Sequence, residues 1–217
     1  MGAQAYQEIV GKTKLSSDAA ASEMVARVGR RIAAVSGHPE YPWEYKLIHD
    51  DKQVNAFALP GGKVAVYTGM LPVTRDENGL AAVLGHEIGH VVARHGGERM
   101  SQQMGVGVFV ETLAALSSGN PATVQAVSAL LGAGASVGVL LPWGRAQESE
   151  ADHLGLILMA KAGYDPHAAR DLWVRMAELS SKGSRPPEFL STHPSEPTRI
   201  RQIEVWMPEA MQYYKPR

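Results

Sequence analysis

Two histidines four residues apart, with a glutamate directly after the first, stand at His86-Glu87-Ile88-Gly89-His90, an H-E-x-x-H sequence. On an α-helix, residues four apart differ by about 40° in direction and one turn in height, so both imidazoles face the same way and can converge on one ion. Glu87 points to the side of that pair. A carboxylate there reaches a water at the metal's open position without ligating, which suits a general base. The chemistry implied is metal-assisted hydrolysis.

A catalytic zinc site needs three protein ligands and one open position. The chain has no cysteine, so only His and carboxylate ligands are available. His95 is the nearest further histidine, but it falls about 180° around the helix from His86 and cannot turn inward while the helix persists. The metzincin spacing is also absent, because Ala93 and Gly96 stand where Gly and His would be required. A better third ligand lies in Arg145-Ala146-Gln147-Glu148-Ser149-Glu150-Ala151-Asp152. Glu148 and Asp152 share a helix face, so Glu148 can complete a His86-His90-Glu148 site for one Zn2+ per chain. Asp152 can accept the far N–H of a ligating imidazole and fix its tautomer. Glu150 points elsewhere. Taken alone, such an acidic pair reads as a solvated helix face; its place after the H-E-x-x-H helix gives it weight. A further cluster, Ser191-Thr192-His193-Pro194 with Arg199 beyond it, offers donors for the oxyanion of peptide hydrolysis. By spacing alone, His193 reads as a loop histidine before a proline.

These residues need elements to hold them. Met24, Val25, Val28, Ile32 and Val35 follow helical spacing and predict an amphipathic helix over about 17–36, stopped by Ser36-Gly37. Runs rich in branched and aromatic residues over 43–49, 54–59 and 63–68 predict strands, the last two joined by Pro60-Gly61-Gly62. After Thr74-Arg75-Asp76, which supplies N-cap chemistry, Leu80, Val83, Leu84, Ile88, Val91 and Val92 predict the central helix to about His95, before Gly96-Gly97. Another helix is expected from about Gln147 to Ala162, one from Asp165-Pro166 through Leu179, then loop from Lys182 and a short helix near Arg199 to Val205. The fold class is α+β, a mainly helical domain with a small sheet packed beside the central helix.

At 217 residues, one domain spanning 1–217 is expected, with its catalytic core over about 43–205. A hydrophobic share of 45% with 20% charged residues fits a packed core rather than disorder. A net charge of −1 argues against a nucleic-acid partner, which would demand a basic face. Thr112 to Gly144 carries no charge, but it is interrupted by Ser117-Ser118-Gly119-Asn120-Pro121 and then rich in Ala, Gly and Ser. It reads as a buried or substrate-covering helical pair rather than a span. Met1-Gly2-Ala3-Gln4 opens without a basic or apolar leader region.

Together these residues resemble the zinc metallopeptidase family typified by the heat-shock protease HtpX and the CAAX prenyl endopeptidase, a gluzincin family, and more closely its soluble bacterial envelope members. The matching pieces are Asn55-Ala56-Phe57-Ala58 with Pro60-Gly61-Gly62, Gly85 to His90 with Arg94-His95, Arg145-x-x-Glu148-x-x-Ala151-Asp152, and Thr192-His193-Pro194 with Arg199-Ile200. The resemblance implies that Glu148 is the third ligand. It implies that His193, with Arg199 nearby, lines the catalytic centre and contacts substrate or the tetrahedral intermediate. It implies that the strand of Asn55, Ala56 and Phe57 is an edge on which an extended protein or peptide substrate is laid by backbone hydrogen bonds. It further implies a bacterial periplasmic or envelope location, with a leader or lipid anchor ahead of Met1 and peripheral membrane association through it. A zinc-stabilised chaperone-like protein that holds clients on the edge strand, or a latent protease, is the alternative.

Overall fold

The computed structural model describes residue 6 and residues 10–98, 141–182, 187–193 and 197–216, with the side chains at 141–143, 182, 192 and 197 excepted. The uncharged 112–144 segment falls outside the described residues up to position 140, as does Pro194.

Helix α1 (Ala19–Ala34) starts at Asp18, whose side chain accepts from the Ala21 N–H, and buries Val25, Val28 and Ile32. It stops where the chain turns through Gly37 at φ 82°. Strands β1 (Glu44–Ile48), β2 (Ala56–Leu59) and β3 (Lys63–Tyr67) follow. They form a mixed sheet in the order β1-β3-β2, with β1 parallel and β2 antiparallel to β3. Gly61 and Gly62, both at positive φ, make the turn that fixes the β2–β3 register, Ala56 opposite Val66 and Leu59 opposite Lys63. The expected sheet is therefore present, with β2 at one edge.

A 3₁₀ turn (Thr68–Met70) and the short helix α2 (Leu71–Thr74) lead into α3 (Glu77–Val92), capped by Asp76 accepting from the Gly79 N–H. Residues 79 to 91 of α3 are all buried. A helix covered on every side is a core helix, and here α1, β2, α4 (Leu141–Lys161) and α5 (His167–Lys182) cover it. The short α6 (Glu188–Thr192) and long α7 (Pro197–Tyr213) complete the described elements.

Several boundaries differ from the sequence reading. The central helix ends at Val92 rather than near His95, because Arg94 takes φ 60° and turns the chain before residues 95–98 resume helical structure. Helix α4 is already formed at Leu141, six residues before Gln147. The C-terminal helix runs from Pro197 to Tyr213, through an internal Pro208, where only a short helix to Val205 is expected. Ile203, Met207 and Ala210 bury one face of it, so packing overrides the proline. Helix α6 also occupies part of the expected loop. Among the described residues, no helix is long and apolar enough to cross a membrane.

Candidate active site

His86, Glu87 and His90 sit on α3, and Glu148 and Asp152 on α4, so the distance between two helix axes decides whether they meet. Both helices are stripped of side chains where they touch. A Cβ on Gly85 would stand 2.8 Å from the Gly155 carbonyl oxygen, one on Gly89 would stand 2.9 Å from that of Ala151, and one on Gly155 would meet the His86 nitrogen at 2.7 Å. Each of Gly85, Gly89 and Ala151 directly precedes a site residue. The small residues bring the backbones together, and their neighbours turn into the space beside the contact.

The result is a compact group of donors. His86 Nε2 and His90 Nε2 are 3.1 Å apart; the Glu148 oxygens lie 3.4 Å from the first and 3.3 Å from the second. Tetrahedral zinc with nitrogen at 2.0–2.1 Å and oxygen slightly farther has ligand–ligand edges of roughly 3.3–3.5 Å. The triangle has that size, so the residues present fit such an ion. His193 adds a fourth donor: its Nδ1 is 2.9 Å from Glu148 Oε2 and 3.1 Å from His86 Nε2. One ligand atom from each of these four buried residues lies within 4.8 Å of all the others.

The proton positions favour a cation among these atoms. His86 Nδ1 is 2.9 Å from Asp152 Oδ1, and a carboxylate only accepts, so the proton is on Nδ1 and the Nε2 lone pair faces the triangle. Asp152 is itself held by Arg199, whose Nε and Nη2 both donate to it. The Arg199 guanidinium lies 3.5 Å over the Trp173 ring of α5, which shields this pair from water. Burial raises Asp152, but Arg199 and His86 outweigh it and hold the carboxyl below its ordinary value. Burial likewise opposes ionised Glu148, yet the three imidazoles keep it far below the usual carboxylate range. Burial pushes His90 down to about 3, so its ring is neutral. Burial would lower His86 too, but the hydrogen bonds to Asp152 and Glu148 overcome that and lift it to about 9. Its extra proton occupies the lone pair that a metal would take, so metal binding displaces a proton here.

Glu87 is set apart from the triangle. Its Oε2 accepts from the Ala58 N–H of β2 at 2.9 Å, while its buried Oε1 has no hydrogen-bond partner among the described residues and faces His193 Nε2 at 3.4 Å. Burial raises its affinity for a proton. The Tyr67 N–H donates to the Asn55 carbonyl, so by antiparallel alternation Phe57 and Leu59 also bond inward to β3. The backbone groups of Ala56 and Ala58 therefore face away from β3. Asn55 Oδ1 accepts from the Ala56 N–H, and the Phe57 ring packs near Tyr67 on the sheet. Arg199 reaches the centre through Asp152 and comes within 3.4 Å of Glu148.

Two features escape the sequence reading. Trp173 has no local signal, since nothing in its helix marks it as the floor under Arg199. His95 is buried and does turn inward, its Nδ1 2.8 Å from His90 Nδ1, because the helix has already ended at Val92. It is absent from the four-residue donor cluster.

The profile of peptidase family M48 matches residues 19–207, which contain every residue of this centre. The chain belongs to peptidase family M48. Among M48 relatives, it is 43% identical over 213 residues to mitochondrial metalloendopeptidase OMA1 of Schizosaccharomyces pombe, covering 97% of this chain and 61% of that one. It is 37% identical over 186 residues to the Arabidopsis thaliana protein of that name, covering 84% and 36%. It is 32% identical over 206 residues to the beta-barrel assembly-enhancing protease of Yersinia pestis, covering 92% and 42%. The chain thus spans about three fifths or less of the length of these M48 relatives.

Proposed function

We propose that this chain carries the catalytic centre of a zinc-dependent metalloendopeptidase, with His86, His90 and Glu148 as ligands of one ion and Glu87 as general base. The observation that carries this reading is the triangle of two imidazole nitrogens and a carboxylate beside the buried Glu87 Oε1, which accepts no hydrogen bond among the described residues. A bound zinc ion would supply Lewis-acid polarisation of the scissile carbonyl and a more acidic water. Glu87, anchored through Oε2, takes the water's proton on Oε1 and passes it to the leaving amine; its burial makes it a stronger base than a solvated glutamate. Asp152 holds the His86 tautomer, and Arg199 holds Asp152. The His193 ring, beside both Glu87 and Glu148, donates toward the developing oxyanion.

The substrate is an extended peptide laid along β2 and donating its N–H groups to the outward carbonyls of Ala56 and Ala58, whose own N–H groups are taken by Asn55 and Glu87. Beside Ala58 and His90 opens a pocket of about 280 Å3, bordered also by Tyr41, Pro60, Val91 and Arg94. That volume is below the roughly 300–1,000 Å3 of small-molecule sites and suits one apolar side chain flanking the scissile bond. Backbone recognition with one apolar subsite favours unfolded proteins, and unfolded or damaged envelope proteins are the clients we infer. The similarity to a protease named for β-barrel assembly supports that assignment.

Cleavage of an unfolded protein such as casein tests the reading. Cleavage should be abolished by a chelator, restored by stoichiometric zinc, and reduced to background in Glu87→Gln with zinc still bound. Cleavage that survives chelation, or full activity in Glu87→Gln, overturns it; client holding without cleavage favours a chaperone-like role.

One observation supports a second reading, a latent enzyme. His193 Nδ1 lies among the ligand atoms, where a fourth protein donor closes the position that water needs. Catalysis then requires α6 and the residue after it to move aside.

A further inference from the structure

His95 follows the H-E-x-x-H sequence by five residues and takes no part in the chemistry above. It is 2% exposed, its Nδ1 lies 2.8 Å from His90 Nδ1, and the two rings meet nearly edge to face at 72°. Its Nε2 lies 3.3 Å from Glu150 Oε2, a carboxylate whose side chain is 61% exposed. The left-handed turn at Arg94 aims the ring this way, since an unbroken helix would point it to the opposite side.

Two facing imidazole nitrogens at that distance must share one proton: two would collide and none would set lone pair against lone pair. Glu150 can only accept, so the His95 proton is on Nε2 and its Nδ1 offers a lone pair. That lone pair requires the His90 proton to be on Nδ1, which leaves His90 Nε2 bare and aimed at the triangle. The order of donors therefore runs from His90 to His95 to Glu150.

We infer that His95 is a positioning residue for the metal centre, acting through His90: it selects the His90 tautomer that binds metal and fixes the plane of that ring, with Glu150 setting its own. The inference rests on the proposed metal site. The two imidazole ligands then have unlike supports. His86 leans on the buried Asp152 carboxylate, which Arg199 pairs with, and His90 on a second imidazole rather than on a carboxylate.

His95→Leu keeps an apolar side chain of similar bulk and removes the acceptor; His95→Asn keeps an acceptor at the δ1 position. Zinc affinity is measured by competition with a chromophoric chelator on the full chain, with the visible spectrum of the Co2+ form as a second readout. Unfolding of the metal-free proteins is followed in parallel. The expected result is a 10–100-fold loss of zinc affinity and an altered Co2+ spectrum in His95→Leu, with most of the affinity recovered in His95→Asn. Wild-type affinity and spectrum in folded His95→Leu overturn the inference. So does a His95→Asn protein as impaired as His95→Leu, or a loss confined to metal-free stability. Failure of the wild-type chain to bind zinc at all instead overturns the metal site on which the inference rests.

Discussion

Gly85 and Gly155 touch backbone to backbone: a Cβ on the first would stand 2.8 Å from the carbonyl oxygen of the second. Contacts under 3 Å with main chain cannot be relieved by a side-chain rotation, so α3 and α4 must separate when either glycine is replaced. Gly85→Ala and Gly155→Ala should each lower stability by about 1–3 kcal/mol, the usual cost of overpacking, and weaken metal binding because Glu148 moves off with α4. Gly144→Ala, in the same helix as Gly155 but with nothing within 4 Å among the described residues, should be neutral or stabilising by about 0.5–1 kcal/mol. Denaturant unfolding and zinc titration of the three variants check this.

Asp152 and Arg199 form an ion pair whose side chains are 3% and 6% exposed. Removing one partner leaves a buried charge unmatched, so Asp152→Ala should cost about 3–5 kcal/mol. Adding Arg199→Met to it should cost less than the two single changes summed, because the stranded guanidinium is gone. Equilibrium unfolding of the two single variants and the double variant measures the coupling directly.

Metal should stabilise the fold, since the proposed ligands His86, His90 and Glu148 come from two helices that separate on unfolding. Zinc at 100 times its dissociation constant adds about 2.7 kcal/mol, which for a chain of this size raises Tm by roughly 5–10 °C. Thermal melts with chelator and with added zinc test this; coincident melts would count against the assigned ligands.

His193→Ala removes the fourth donor of the cluster. Stripping of zinc by a chelator should become faster by about tenfold or more, because the open face of the triangle is no longer covered. The accompanying activity separates the two proposed roles of the ring. Proteolysis falls by about 10²–10³ if the ring serves the oxyanion and rises if it closes the centre.

Much of the architecture can be read directly from local pattern. The capped helices, the Pro60-Gly61-Gly62 turn and the H-E-x-x-H sequence each carry their physics within a few residues, and the strands at 56–59 and 63–67 pair as their composition implies. The long-range facts were legible only in part. Glu148 and Asp152 share a face by spacing, but their approach to α3 depends on Gly85, Gly89, Ala151 and Gly155. Small residues four apart on each of two segments signal close helix packing, but local pattern does not say which segments meet. The fate of His95 depended on where α3 stops. That stop is set by a left-handed non-glycine residue, Arg94, which no propensity predicts. The length of α7 was lost for the same kind of reason, since burial of Ile203, Met207 and Ala210 outweighs a proline that locally argues for an end.

The clasp on Glu87 comes from the Ala58 main-chain N–H rather than from any side chain. Every amino acid except proline presents that same group, so a change of side chain at the half-buried position 58 leaves the carboxylate's anchor in place, whereas Ala56 is fixed by its burial in the core. If Glu87 is the base, its aim and the chemistry of the side chain at position 58 can therefore vary independently.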